Sequence, residues 1–158
     1  MANENELPQL FSELEDLFDD AALKEYPDAK LWQMQVGDRH EILIELDADR
    51  GCLVFSGDLP APPADKAAAL NALLMQTNGL WTQTGGLRFA LDADDGSIAM
   101  LWDVPIAPLG KQQLYNAISG FVERLGFWTR VTETGGPGEG EESAPLPGSD
   151  ESGPMIRV

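Results

Sequence analysis

Three runs of alternating apolar and polar side chains, joined by short turns, constrain the fold of this chain more than any other feature. Residues 31–36 and 40–47 alternate, and residues 52–56 form a third strand-like run. Alternation with a period of two is typical of strands with one buried face. The connections, residues 37–39 and 47–51, are rich in Gly and Asp and too short for a crossover helix. The sequence therefore predicts an antiparallel meander.

Helices are predicted on both sides of this meander, because apolar residues recur there at spacings of three and four. They cover residues 7–18, 64–77 and 111–130. A second hairpin, with strands at residues 87–91 and 98–104, lies between the last two helices. The predicted order is α-β-β-β-α-β-β-α. This order indicates an α+β fold, with an antiparallel twisted sheet packed against helices.

The net charge of −17 limits the classes of partner. It arises from 27 acidic and 10 basic residues in a chain of 158. A negative field of this size repels phosphate backbones and anionic lipid surfaces. We therefore expect no nucleic-acid and no membrane partner. A basic partner, or simple solubility, fits this charge better.

Several features indicate a cytoplasmic location. The single cysteine, Cys52, allows no intramolecular disulfide, which fits a reducing compartment. Residues 1–6 contain neither a basic region nor an apolar region of the kind found in signal peptides. No apolar run approaches the roughly 20 residues that span a bilayer.

The last part of the chain has a different composition. Residues 132–158 contain six acidic residues, one basic residue, six glycines and four prolines. Such a segment cannot bury enough apolar surface to offset the entropy of ordering it. We predict a folded domain over residues 1–131 and a disordered acidic tail over residues 132–158.

Candidate catalytic and metal-binding residues are few. His40 is the sole histidine, and Cys52 has no cluster of basic residues around it, so no nucleophile is paired with a base. The Asp-rich segments at 47–51 and 92–96 have Gly at the fifth rather than the sixth position of a calcium loop, and they fit hairpin turns better. We expect no catalytic residue, no metal, no cofactor and no enzymatic activity. An enzyme that uses His40 stays the weakest hypothesis.

Local motifs resemble a known family. Residues 74–78 (Leu-Met-Gln-Thr-Asn) are similar to the Leu-Leu-x-x-Asn that ends its second helix, with Met in place of the second Leu. Residues 85–92 resemble the Gly-Gly-started strand that follows, and residues 96–101 resemble its last strand. Residues 121–123 (Phe-Val-Glu), together with Trp128, resemble its final helix.

In element order, size and acidity, residues 7–131 resemble the class I chaperones of bacterial type III secretion, the family of the Tir chaperone. Two features depart from that pattern. The acidic tail is longer than is usual in the family, and residues 26–29 (Tyr-Pro-Asp-Ala) replace a Gly-rich link.

The resemblance implies a cytoplasmic homodimer that takes part in virulence-related protein transport. Such a chaperone binds the N-terminal segment of a secreted effector in an extended, export-competent form without ATP. Apolar residues around the first helix and first sheet are the candidates for the effector-binding groove: Leu14, Phe18, Trp32, Met34, Val36, Ile44 and Phe55. Residues of the second helix and last hairpin are the candidates for the dimer interface: Leu70, Leu73, Leu74, Trp81, Met100 and Trp102. A regulatory protein-binding adaptor on the same fold is the alternative.

Overall fold

The computed structural model describes residues 4–18, 21–107 and 109–136, and it contains a six-stranded antiparallel sheet with helices. The helices are α1 (Leu7–Glu15), α2 (Ala67–Gly79), α3 (Trp81–Thr84) and α4 (Lys111–Thr134). The strands are β1 (Ala21–Tyr26), β2 (Leu31–Val36), β3 (His40–Asp47), β4 (Cys52–Leu59), β5 (Arg88–Leu91) and β6 (Ile98–Pro105). Short 3₁₀ turns cover Glu4–Glu6 and Pro27–Ala29.

The strands lie in the order β1-β2-β3-β4-β6-β5, and every neighbouring pair is antiparallel. One row of the register runs Glu25–Trp32–Ile44–Phe55–Trp102 across five strands. Because side chains alternate along each strand, this row and the rows two residues away share one face. The predicted α+β architecture and the antiparallel meander are confirmed.

Helices α1 and α4 cover this face of the sheet. Phe11 of α1 stacks on Trp32 with the ring centroids 4.4 Å apart, and Phe121 of α4 meets Phe55 edge to face at 5.6 Å. The other face of the sheet lies toward solvent, where Leu43 is 37% exposed. Gly57 allows the close approach of α4, since a Cβ at this position would lie 2.8 Å from a Leu125 methyl carbon.

Strand β1 was not predicted. Its sequence, Ala-Ala-Leu-Lys-Glu-Tyr, consists mostly of helix-favouring residues, but all six pair with β2. Pairing with an alternating neighbour outweighs the local preference here, as is common for strands. The predicted first helix is correspondingly too long, because α1 ends at Glu15 and the chain then turns toward β1.

Other boundaries differ by a few residues. Helix α2 begins at Ala67 rather than 64, after a turn that follows the prolines, and the one-turn helix α3 was not predicted. Strand β4 continues to Leu59 rather than 56. Helix α4 continues to Thr134, four residues past the predicted end, and Gly135 ends it with a positive φ of 75°. Residues 137–158 of the predicted tail lie outside the described residues.

Candidate protein-binding site

The seven residues predicted for a groove lie mostly in the interior. Alternation along a strand identifies the side that faces the helices, and in this fold α1 and α4 already cover that side. Phe18 and Val36 are partly buried and pack against the core. The remaining five are at most 3% exposed: Leu14, Trp32, Met34, Ile44 and Phe55. In the isolated chain these five stabilise the fold, and Trp32 also lines a surface cavity.

The six residues predicted for a dimer interface also lie mostly in the interior. Leu70, Leu74 and Met100 are buried, and Leu73 is partly buried. Trp102 is held in place by an N–H···O bond of 2.8 Å to the Gly85 carbonyl and lies under the Arg124 guanidinium. Trp81 alone of the six is largely exposed, at 65%.

Four exposed apolar side chains lie on α2, on β5 and at the start of α3, and we call this group the exposed apolar patch. We define it by Met75 (75% exposed), Leu80 (46%), Trp81 (65%) and Leu91 (55%). Met75 and Leu91 also line a shallow cavity of about 130 Å³ whose floor includes Leu74 and Phe89. The apolar spacing of α2 could not separate Met75 from its buried neighbours, since α2 is apolar around most of its circumference.

The β1 edge of the sheet carries unpaired backbone groups. In an antiparallel strand both polar groups of one residue point to the same side, and successive residues alternate. The Leu23 N–H donates to the Glu15 carboxylate at 3.3 Å, so it faces away from β2. Ala21 and Glu25 have the same parity as Leu23. Their N–H and C=O groups therefore also face outward, where no described strand lies.

The β5 edge is blocked at its centre instead. The Asn78 side-chain amide donates to the Phe89 carbonyl at 3.0 Å, and the Phe89 N–H donates to the Asn78 oxygen at 2.8 Å. One side chain at the end of α2 thus mimics a neighbouring strand and blocks pairing at the centre of β5. This contact gives a structural role to the asparagine of residues 74–78.

A second cavity adjoins the open β1 edge. It has a volume of about 260 Å³ and lies among Glu4, Glu25, Pro27, Lys30, Trp32 and Leu46, with Asn5 and Pro8 at its side. The Lys30 ammonium lies 3.5 Å from the Glu4 carboxylate, and both side chains are about half exposed. The cavity combines an apolar floor with charged groups at its rim, an arrangement that suits a side chain with a polar end.

Ion pairs cross the open face of the sheet. The Asp103 carboxylate accepts hydrogen bonds of 2.8 Å from both Arg50 and Arg88, and Arg50 also pairs with Asp47. Burial tends to raise the pKa of Asp103, but the two arginines outweigh it and hold the pKa below its usual value. This network ties the β3–β4 turn to the last hairpin, and it leaves less free acidic charge on that face.

The residues considered for catalysis occupy structural positions. His40 lies against α4, where a Cβ at Gly126 would meet its Nε2 at 3.4 Å, and burial lowers its pKa with help from Arg39. Burial raises the pKa of the Cys52 thiol, which opposes thiolate chemistry. The loops at residues 47–51 and 92–96 join β3 to β4 and β5 to β6. Within the described ranges no three acidic, histidine or cysteine side chains form a metal-binding group.

Fold and site together define an α+β domain suited to binding a protein segment, with the outer edge of β1 free of any described strand. Comparison with protein families gives the particular class: residues 14–129 match the model of the Tir chaperone protein (CesT) family. The match covers well over half of the chain, so the chain belongs to this family, and it is a type III secretion chaperone. No curated protein sequence gives a significant match.

Three solved structures with the same fold are complexes. A chain of the ExsC–ExsE complex superposes with a TM-score of 0.70 at 15% identity, covering 84% of this chain and 98% of that one. A chain of the HopA1–SchA chaperone–effector complex gives 0.60 at 19% identity, with 82% and 99% covered. A chain of the ExoU–SpcU complex from the type III secretion system of Pseudomonas aeruginosa gives 0.50 at 15% identity, with 84% and 98% covered.

Among the residues with a described structure, no helix combines the length and apolarity that crossing a bilayer requires. The longest, α4, buries one side against the sheet and carries charged residues such as Glu123 and Arg130.

Proposed function

We propose that this chain binds the N-terminal segment of a secreted effector as an extended strand along the open edge of β1. The bound segment stays unfolded and competent for export. The chaperone acts in the bacterial cytoplasm, uses no ATP and catalyses no reaction.

The observation that carries this proposal is the difference between the two edges of the sheet. Among the described residues, the outward groups of β1 meet only the exposed Glu15 carboxylate, which an incoming strand can displace, whereas Asn78 saturates the centre of β5. An extended peptide that adds to an exposed edge gains main-chain hydrogen bonds regardless of its sequence. A chaperone must hold a segment without folding it, and this mode of binding meets that need.

The charge of the chain supports the same partner. Glu15 and Glu25 lie at the β1 edge, and the whole chain carries −17. Such a field attracts a basic segment and speeds its encounter with the edge. It also keeps the complex soluble while part of the effector is unfolded.

We further propose that the chain forms a homodimer through the exposed apolar patch of Met75, Leu80, Trp81 and Leu91. Met75 and Leu91 line one cavity, and clustered exposed apolar side chains mark an interaction site more often than free surface. Trp81 belonged to the predicted interface. Leu74, also predicted for the interface, is buried and lines the same cavity as Met75 and Leu91.

Matched proline substitutions test the edge proposal. Ala21→Pro removes an outward N–H, and Ala22→Pro removes an N–H that pairs with β2. The probe is the N-terminal segment of a secreted effector that co-purifies with this chain, and calorimetry measures its affinity. We expect Ala21→Pro to weaken binding about two- to tenfold, which corresponds to the loss of one hydrogen bond. The thermal stability should stay nearly unchanged. Ala22→Pro should mainly lower stability. Unchanged affinity in a folded Ala21→Pro variant would contradict the proposed edge.

A further inference from the structure

A groove between β6 and α4 lies apart from the β1 edge. It has a volume of about 460 Å³, and we call it the β6–α4 groove. Residues of both elements line it, among them Trp102, Val104, Pro105, Ala117, Gly120 and Arg124. Strands β2, β3 and β4 lie between β1 and β6 in the sheet, so this groove is distinct from the proposed effector edge.

Arg124 places an unpaired cation in this groove. It is the one charged residue among the described residues that line the groove, and its guanidinium lies over the Trp102 ring, 4.9 Å from the centroid. No carboxylate within the described ranges forms an ion pair with it, and its enclosed Nη1 has no hydrogen-bond partner there.

The environment of Arg124 favours an added negative charge. Its side chain is partly buried, and burial lowers its pKa more than the neighbouring Glu123 raises it. A partly desolvated cation without a counter-ion is costly in free energy. The Nη1 is out of reach of a ligand, but a carboxylate can approach the part of the guanidinium that faces the groove, and it would stabilise the charge there.

The rest of the groove is mostly apolar and is open at Gly120. A glycine inside a helix lowers the stability of that helix relative to alanine. Packing does not require it here, because a Cβ at Gly120 would meet no atom within 4 Å. The space above this turn of α4 therefore has room for another segment, and Ala117 and Trp102 provide apolar surface on either side of it.

The net charge of the chain distinguishes the possible occupants. An external acidic segment would have to approach against the field of a chain with a net charge of −17. A segment of the same chain is held near the groove by its tether, which gives it a high effective concentration in spite of that repulsion. An intramolecular occupant is therefore favoured.

Residues 141–147 have the composition and the order that the groove requires. They read Glu-Glu-Ser-Ala-Pro-Leu-Pro, with the acidic residues first and the apolar ones after them. Among the α4 residues that line the groove, Arg124 lies nearest to the C-terminal end of the helix, and Ala117 and Gly120 come before it. A segment that returns antiparallel to α4 would thus bring its acids to Arg124 and its apolar residues to the open part.

The length of the chain after α4 permits this return. The distance from Gly136 back to Arg124 is about 18 Å along the helix, and the six residues from Gly136 to Glu142 span about 20 Å when extended. Gly120 lies about 24 Å back, and the ten residues to Leu146 span about 33 Å. Both contacts can therefore form at the same time.

We propose that residues 141–147 of this chain occupy the β6–α4 groove. The acidic pair at the start of the segment lies beside the Arg124 guanidinium, and Leu146 lies over the apolar surface at Gly120. The segment gives the cation its counter-ion and covers apolar surface that would otherwise face water. This contact does not depend on effector binding at β1.

A nitroxide label on the full chain tests this contact. The label is attached through Ser149→Cys, just beyond the docked residues. The native Cys52 stays in place, because it is 7% exposed and burial raises the pKa of its thiol. Wild type treated with the same reagent is the control for labelling of Cys52. We expect the label to broaden the NMR signals of the Trp102 indole N–H and the Gly120 amide, while the signals of β1 stay sharp.

Substitutions on α4 identify the cation that holds the segment. Arg124→Gln should remove most of the broadening. Arg130→Gln makes the same change at an exposed position of the same helix, outside the groove lining, and should leave the broadening in place.

Substitutions in the tail make the same test without altering the described domain. Glu141→Gln combined with Glu142→Gln should remove most of the broadening. Asp150→Asn combined with Glu151→Gln changes the charge by the same amount beyond the segment and should not. This pair keeps the proposal testable if Arg124→Gln lowers the stability of the fold.

Three results would overturn the proposal. The first is a labelled full chain in which the Trp102 and Gly120 signals stay sharp. The second is broadening that survives the double substitution of Glu141 and Glu142. The third comes from mixing labelled protein with unlabelled, ¹⁵N-enriched protein, because broadening of equal strength in that mixture would assign the groove to a segment of a second copy.

Discussion

Replacing Asn78 with alanine removes both hydrogen bonds that close the outer edge of β5. The bonds measure 2.8 and 3.0 Å and join the side-chain amide to the two backbone groups of Phe89, a residue only 8% exposed. Each such bond contributes about 0.5–1.5 kcal/mol net. We therefore expect Asn78→Ala to lower the free energy of unfolding by about 1–3 kcal/mol. For a domain of this size the midpoint of thermal unfolding should fall by about 3–10 °C.

Thermal and urea unfolding followed by circular dichroism measure this loss, with Asn71→Ala as the matched control. Asn71 lies on the same helix, so its replacement brings the same gain in helix propensity without touching Phe89. An Asn78→Ala variant that unfolds at the same temperature as Asn71→Ala would refute the argument that this side chain closes the edge. A higher tendency of Asn78→Ala to self-associate would indicate that the opened edge pairs with other chains.

Asn78→Asp adds a pH-dependent form of the same test. The carboxylate still accepts the Phe89 N–H, but it faces the Phe89 carbonyl without a proton to donate. The folded state therefore favours the protonated acid and raises its pKa above the usual value of about 3.9. Stability relative to wild type should recover as the pH falls through that raised pKa, because the protonated carboxyl can again donate. A deficit that stays constant down to about pH 4 would contradict this reasoning.

Three further outcomes follow from particular contacts. Leu91→Lys, in the exposed apolar patch, should shift the proposed dimer to monomer in light scattering, whereas Leu43→Lys on the open sheet face should not. Gly57→Val should lower the free energy of unfolding by about 1–3 kcal/mol, since its side chain would overlap Leu125, and a smaller residue at 125 should recover part of that loss. The pKa of His40 lies below 6.5 because burial, and then the neighbouring Arg39, disfavour its charged form. Wild type should therefore lose stability as the pH falls below about 6.5, whereas His40→Gln should not show this loss.

The hairpins could be predicted because their alternation and their turns agree. Residues 31–36 and 40–47 have the period of a half-buried strand, and the turn between them has room only for a reversal. Strand β1 could not be predicted in this way. Its residues have no clear period and favour helix, and only the register with β2 makes the segment a strand. The open edge of the sheet was therefore invisible in the sequence.

The same limit of sequence periodicity applies to the candidate site. Periodicity shows which residues share a face, but it does not show whether a helix covers that face. Ile44 and Phe55 were predicted for a groove, and they are buried because α1 and α4 cover them. Trp32 was predicted for the same groove and is also buried, but its unpaired N–H and the adjoining cavity distinguish it from ordinary core. A hydrogen-bond deficit of this kind appears only when the coordinates of all neighbours are known.

The structural difference between the two sheet edges explains how one small domain can bind strands without aggregating. Any exposed edge is a template for pairing, so two open edges would let copies of the chain polymerise end to end. Asn78 occupies the outward groups of Phe89 in β5, whereas no described strand pairs with the outer edge of β1, and acidic side chains beside β1 repel a second copy of this acidic chain. A basic, extended segment meets no such repulsion. The negative charge that keeps copies of the chaperone apart therefore favours the proposed basic partner. Both effects act at the outer edge of β1, where no described strand pairs.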